Sequence, residues 1–245
     1  MREGESKPEE GIVMSPEKRP FLGESVSLSE IAKGGSVTVY DIHNEKSDAD
    51  GGENKDKKVL KEYSQSQENV DWLFGSGQNP SAEDQSKILQ RRQEFAQKYY
   101  DGLPEFVLKS QFLVADGTEG KPTVYEIQKK IEDYKPVTLA NVENIIEGLT
   151  SEQRERLANE LTYFIKRSKD FITGRNFPEG YEEFLTRIPD FQDGNVVVTS
   201  DGKLRMMDTN TYIDINSRED QKDLFLSDIE CFKTMLRKIK KSVKK

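Results

Sequence analysis

Asp190-Phe191-Gln192-Asp193-Gly194-Asn195-Val196-Val197-Val198-Thr199-Ser200-Asp201-Gly202-Lys203-Leu204-Arg205-Met206-Met207-Asp208 decides how the rest of the chain is read. Asp201-Gly202 stands between two runs of strand-forming residues, a strong signal for a two-residue hairpin turn. With those two residues as the turn, Ser200 pairs with Lys203, Val196 faces Met207 and Asn195 faces Asp208. Directly opposed residues have Cβ atoms about 5 Å apart. Turn chemistry alone thus predicts an amide oxygen beside a carboxylate at the open end of the hairpin. Such a pair suits a hard cation with oxygen ligands, such as magnesium. Asp190 enters the same end and is within reach of the same space. The competing reading is an ordinary surface hairpin with Asp and Asn as end caps, because both residue types favour turns.

Upstream of the hairpin, Thr150-Ser151-Glu152-Gln153 has the form of a capping box. Leu157, Leu161, Phe164, Ile165 and Phe171 follow as the apolar stripe of a long helix. Residues 178–185 suggest a short helix, and a last helix is expected from about Arg218, with Phe225, Ile229, Phe232, Leu236 and Ile239 on one face. The first half reads differently. Residues 36–42 and 59–63 read as paired strands, joined by a long flexible loop at 44–58. Residues 81–100 read as a helix opened by Ser81 and Asp84, with Ile88, Phe95 and Tyr99 on one face. Strands at 106–114 and 123–127 follow, separated by Asp116-Gly117. A strand-rich half with one helix, then a helical half with one hairpin, predicts an α+β fold of two lobes meeting at a cleft.

The composition narrows the chemistry. The chain has 245 residues with a formal net charge of −8, which argues against nonspecific nucleic-acid binding. Cys231 is the only cysteine, so no intrachain disulfide or cysteine-based metal site is available, and a reducing, cytoplasmic setting is expected. His43 is the only histidine and is read as a solvated loop residue. Any Ser-His-Asp or Cys-His mechanism would have to use it. Residues 1–20 are rich in Glu, Lys, Pro and Gly and are expected to be a disordered tail without a signal peptide. No apolar run of about 18 residues is present, so no transmembrane segment is expected.

The order and spacing of these features resemble the catalytic core of protein kinases. That family carries an Asp, an Asn five residues on, and then a hairpin that ends in a metal-binding Asp; here Asp190, Asn195 and Asp208 match. Val59-Leu60-Lys61 resembles the family's Val-Ala-Ile-Lys strand. Glu94 lies in the next predicted helix, where the family places the Lys-pairing Glu. Tyr125-Glu126-Ile127-Gln128 looks like the end of the fifth strand and the hinge. Gly34 and Val39 keep the register of the glycine-rich loop. The resemblance covers roughly residues 31–208. The departures are clear. Ala32 and Val37 stand where the family has glycines. Ile188-Pro189 precedes Asp190 in place of His-Arg. Asp208 is followed by Thr209-Asn210 rather than Phe-Gly. No Ala-Pro-Glu follows, and only 37 residues remain after Asp208. Minimal bacterial and effector-type kinases are truncated in a similar way.

The resemblance implies a bilobal protein-kinase-like fold. Residues 21–128 would form a β-rich N-lobe and residues 129–245 a truncated helical C-lobe carrying the catalytic hairpin. It implies an ATP-dependent phosphotransferase whose acceptor is a protein hydroxyl, with two alternatives: a small-molecule or lipid-headgroup kinase, or a nucleotide-binding pseudokinase. Lys61 would hold the α- and β-phosphates of ATP, with Glu94 holding Lys61. Asn195 and Asp208 would ligate Mg2+, and Asp190 would orient or deprotonate the acceptor hydroxyl. Backbone groups of Glu126 to Gln128 would bind adenine, Gly34 and Gly35 would cover the phosphates, and Val39 would pack on the nucleotide. The chain would act in the cytoplasm or as a secreted effector. The basic end, Arg237-Lys238-Ile239-Lys240-Lys241-Ser242-Val243-Lys244-Lys245, reads either as a solvated helix end suited to the macrodipole or as a contact for an anionic surface.

Overall fold

Runs of Val, Thr and Tyr in the first half of the chain become one five-stranded antiparallel sheet in the computed structural model. The structure describes residues 22, 26–34, 37–44, 57–74, 77, 79–117, 120–189, 191, 194–209, 212–214 and 218–242. Residues 1–20 and 45–56, expected as tail and loop, lie outside the described residues. The fold is mixed α+β, and the chain divides into two units. Unit 1 comprises Met1–Asn69, Pro80–Ser86 and Gln111–Lys130; unit 2 comprises Val70–Asn79, Lys87–Ser110 and Ile131–Lys245.

The sheet contains β1 (Val26–Lys33), β2 (Val37–Asn44), β3 (Lys58–Tyr63), β4 (Ser110–Asp116) and β5 (Pro122–Lys129), in the order β1-β2-β3-β5-β4. Leu28, Tyr40, Leu60 and Tyr125 form the apolar core of one face, joined by Ile42, Leu113 and Ile127. The other face of β3 and β5 is buried as well, through Val59, Lys61, Tyr63, Val124, Glu126 and Gln128. Burial on both faces explains why these strands lack the apolar–polar alternation of a half-solvated strand. β1 had no counterpart in the sequence reading; its register slips between Glu30 and Ala32, which breaks the period-two pattern. The strand expected at 106–114 starts only at Ser110. Phe106, Val107 and Leu108 instead pack in unit 2, where Val107 bridges to Met206. His43 lies on β2 rather than in a loop; it is exposed, with Nε2 2.8 Å from Ser29 Oγ.

Two helices follow β3, namely α1 (Gln67–Phe74) and α2 (Ala82–Tyr99). Ser81 caps α2 as expected, with the Asp84 N–H donating to Ser81 Oγ at 3.2 Å and the Ser81 hydroxyl donating to Asp84 Oδ2 at 3.0 Å. Phe95 and Tyr99 are fully buried and Ile88 is half-buried.

In unit 2, α3 (Val142–Glu147), α4 (Ser151–Ile172) and α5 (Arg218–Ser242) surround an aromatic core. The capping box at Thr150 is complete, with the Gln153 N–H donating to Thr150 Oγ1 and the Thr150 N–H donating to Gln153 Oε1. Leu157, Leu161, Phe164, Ile165 and Phe171 are all buried. Phe164 meets Phe232 at 4.8 Å, Phe191 at 5.0 Å and Phe106 at 5.4 Å between ring centroids. Phe225, Ile229, Phe232 and Ile239 of α5 are buried on their shared face, and Leu236 packs beside them half-buried. The short helix expected at 178–185 is a 3-10 turn at Glu182–Thr186. Short strands complete the unit. β6 (Tyr134–Pro136) pairs with β8 (Val196–Thr199), which pairs with β9 (Leu204–Met206); β7 (Arg187–Pro189) pairs with β10 (Tyr212–Asp214).

Candidate functional site

The sheet of unit 1 gathers three of the expected nucleotide-binding residues on one rung. In the antiparallel register Val39 of β2 stands opposite Lys61 of β3, and Lys61 stands opposite Glu126 of β5. Side chains of directly opposed residues share a face, so Val39, Lys61 and Glu126 line up across the sheet. On the next rung of that face, Asp41, Val59 and Gln128 are aligned. Lys61 and Glu126 are buried, and their charged atoms pair, with Lys61 Nζ 3.4 Å from Glu126 Oε2. The same carboxylate oxygen accepts the Tyr63 hydroxyl at 2.6 Å. A second ion pair closes the edge of this face, with Lys130 Nζ donating to Asp41 Oδ2 at 2.6 Å.

Tyr125 to Gln128, expected as the end of the fifth strand and a hinge, lie within β5, toward its end. Glu126, Ile127 and Gln128 sit inside β5, paired with Lys61, Leu60 and Val59. The strand runs to Lys129, and the Lys130 N–H still donates to Lys57 O. Their backbone is therefore committed to the sheet, and the first change of unit after β5 falls between Lys130 and Ile131. Gly34 follows the end of β1, with its N–H donating to Val37 O at 2.8 Å. A Cβ added there would meet only that carbonyl, at an ordinary 3.5 Å, so packing within the chain does not demand glycine. Gly35 lies outside the described residues. A groove of about 450 Å³ opens beside this turn, lined by Gly34, Thr38, Tyr40, Glu62 and Lys121 among others. Thr38, Tyr40 and Glu62 alternate with Val39 and Lys61, so this groove belongs mainly to the opposite face of the sheet.

Unit 2 carries the remaining candidates. Glu94 is exposed on α2, where it accepts a hydrogen bond from Gln90 at 3.0 Å. Asn195 and Asp208 are half-buried at the open end of the β8–β9 hairpin. The hairpin register differs from the expected one by a single residue. Val196 pairs with Met206, not Met207, and the Met207 N–H donates to Asn195 O at 2.8 Å. Met207, not Asp208, therefore stands across from Asn195.

The cause is the turn. Its loop has three residues, closed by Thr199 and Lys203, with the Gly202 N–H donating to Thr199 O at 2.9 Å and Gly202 in the left-handed region at φ 78°. Thr199 Oγ1 accepts the Lys203 N–H at 3.2 Å and donates to Asp201, which fixes this longer loop. Asp201-Gly202 fits either turn, and Val196, Val197 and Val198 are all buried, so hydrophobicity could not choose the register.

Asp190 lies outside the described residues. Its chain neighbour Pro189 ends β7, where it pairs with Tyr212, four residues beyond Asp208. This pairing, not foreseen from the sequence, brings the end of β7 close along the chain to the Asp208 segment. Asn195 and Asp208 are the residues expected from the sequence to hold a metal ion. Among the described residues, no group of three or more His, Cys, Asp or Glu side chains is arranged to hold a metal ion. No helix among the described residues is long and apolar enough to cross a membrane.

Sequence reasoning missed the carboxylate of Glu126 as the partner of Lys61. The signal lay in the register, since two strands neighbouring in a sheet had to bring some β5 residue opposite Lys61. Comparison of the sequence with protein-family models and with curated proteins returns no match.

Proposed function

We propose that the chain is a bilobal, protein-kinase-like phosphotransferase that moves the γ-phosphate of magnesium-bound ATP to a protein hydroxyl. The observation that carries this reading is Lys61, buried on the third strand directly opposite Val39. A lysine is rarely buried unless paired, and removing its charge from water is costly. Glu126 supplies its counter-charge within the sheet, and in this reading the ammonium also serves an anionic ligand. In this reading Lys61 binds the α- and β-phosphates, Val39 packs on the base, and the backbone around Gly34 and Gly35 covers the phosphates.

Residues from the second half of the chain take the other roles in this reading. Asn195 and Asp208 would hold Mg2+, which would neutralise charge on the transferred phosphoryl group. Asp190 accepts the proton of the attacking hydroxyl. The acceptor oxygen bonds to the γ-phosphorus, the bond from that phosphorus to the bridging oxygen breaks, and ADP leaves with the electron pair. One observation favours a second reading, nucleotide binding without transfer: the register sets Met207 rather than Asp208 across from Asn195. At the basic end of α5, Lys238 pairs with Glu143 and Arg237 with Glu230, while Lys240 and Lys241 are exposed and suit a weak contact with an anionic surface.

Incubation of the pure chain with γ-labelled ATP, magnesium and a cell lysate tests the proposal. Label on protein is the expected result. Label on small molecules or lipids moves the assignment to those acceptors, and bound but untransferred ATP gives precedence to the pseudokinase reading.

A further inference from the structure

We infer that Glu126, a strand residue, is the carboxylate that positions Lys61 for the nucleotide phosphates, in place of the helix residue Glu94. The inference rests on the nucleotide-binding reading proposed above and assigns a positioning role within it. Lys61 and Glu126 are opposed in one sheet and both are buried, with the ammonium 3.4 Å from the carboxylate. Glu126 is itself aimed. Its Oε2 accepts the Tyr63 hydroxyl at 2.6 Å, and Tyr63 lies two residues from Lys61 on the same face of β3. Glu94 is an exposed residue of α2 that takes a hydrogen bond from Gln90.

The chemistry of the pair fits positioning. A buried ammonium needs a counter-charge, and an anion held by a second hydrogen bond supplies it at a fixed place. An ammonium has three N–H donors. One carboxylate oxygen takes one of them, so the Glu126 pairing does not by itself bar a phosphate. Because strand pairing fixes the carboxylate, Lys61 is held without any helix having to move into place.

Calorimetric titration of the full chain with Mg·ATP tests the assignment, using Glu126→Gln, Glu94→Gln, Lys61→Met and the double variant Lys61→Met/Glu126→Gln. Glu126→Gln is expected to weaken binding about tenfold, as the loss of a charge-assisted contact does. Glu94→Gln should stay within about twofold of wild type, the range of an exposed surface change. The double variant should bind no more weakly than Lys61→Met alone, because Glu126 acts through Lys61. A merely structural role for Glu126 would instead make the two losses add. Should Glu126→Gln melt far below wild type, Tyr63→Phe replaces it; removing the hydroxyl that aims Glu126 should weaken binding about threefold. Additive losses, or a loss on Glu94→Gln with none on Glu126→Gln, overturn the inference while leaving nucleotide binding intact. No binding by wild type overturns the nucleotide reading itself, and the inference with it.

Discussion

Gly202→Ala should cost more than a left-handed backbone alone explains, and the excess can be worked from the structure. Gly202 has φ 78°, where an alanine costs about 1 kcal/mol or somewhat more. A Cβ there would lie 2.9 Å from Gln153 Cβ and 3.2 Å from Gln153 O. Both are closer than an ordinary contact, so the first turn of α4 has to yield. Gln153 is the third residue of that helix and half of the capping box with Thr150, and loosening a cap costs roughly 1 kcal/mol. The expected total is about 2 kcal/mol, which lowers the melting midpoint of a chain this size by about 4–8 °C. Gly180 is the control, because it has φ 81° and nothing within 4 Å of an added Cβ. Gly180→Ala should carry only the backbone cost, about 2–4 °C. Thermal melts followed by circular dichroism compare the two. Equal losses would refute the argument that the hairpin loop is wedged against α4.

Three further outcomes follow from the site and the core. Asp190→Asn should leave Mg·ATP affinity nearly intact and lower turnover by about 10²–10⁴-fold, the contribution of a positioned base. Asp193→Asn should be mild, and the reverse pattern in a transfer assay would show that the catalytic loop is read in the wrong register. Glu160 accepts the Leu204 N–H at 2.7 Å, and its burial raises its carboxyl above the usual range. The native state therefore holds this proton to higher pH than the unfolded state does, and the group costs stability as pH rises through its folded value. Glu160→Gln should melt above wild type at neutral pH and level with it near pH 4; a gap that persists in acid would contradict this. Phe164→Ala removes a fully buried ring packed against Tyr100, Phe106, Phe191 and Phe232 and should cost about 3–5 kcal/mol, read as the loss of midpoint in a denaturant titration.

Legibility in the sequence followed length and periodicity. The helix α4 was readable because Leu157, Leu161, Phe164, Ile165 and Phe171 repeat at helical spacing behind a complete cap. The last helix was readable by the same stripe. The helix α3 has six residues and an N-cap, Asn141, whose side chain makes no capping bond, so neither signal existed. The strands β6, β7 and β10 have three residues each, too short for alternation to register.

The site divides in the same way. Lys61 and Val39 were legible as residues of paired strands. Their alignment with Glu126 was not, because α1, α2 and β4 separate β3 from β5 in the chain and the sequence carries no local signal for their register. The end of the fifth strand at Glu126 to Gln128 was legible, but the pairing of these residues with Lys61, Leu60 and Val59 was not. The hairpin was legible as a hairpin. Its loop length depended on Thr199, whose side chain bridges to Asp201 and Lys203 and favours three loop residues over two.

The proposed nucleotide site depends on magnesium and on both Lys61 and Asp208. Its most direct test is the melting midpoint of wild type, Lys61→Ala and Asp208→Ala, each with and without Mg·ATP. At a hundredfold excess over Kd a ligand that binds only the folded state adds about 2.7 kcal/mol, or roughly 5–11 °C here. The account predicts that shift in wild type, loss of its magnesium-dependent part in Asp208→Ala, and little shift in Lys61→Ala. Identical midpoints for wild type with and without millimolar Mg·ATP would contradict it.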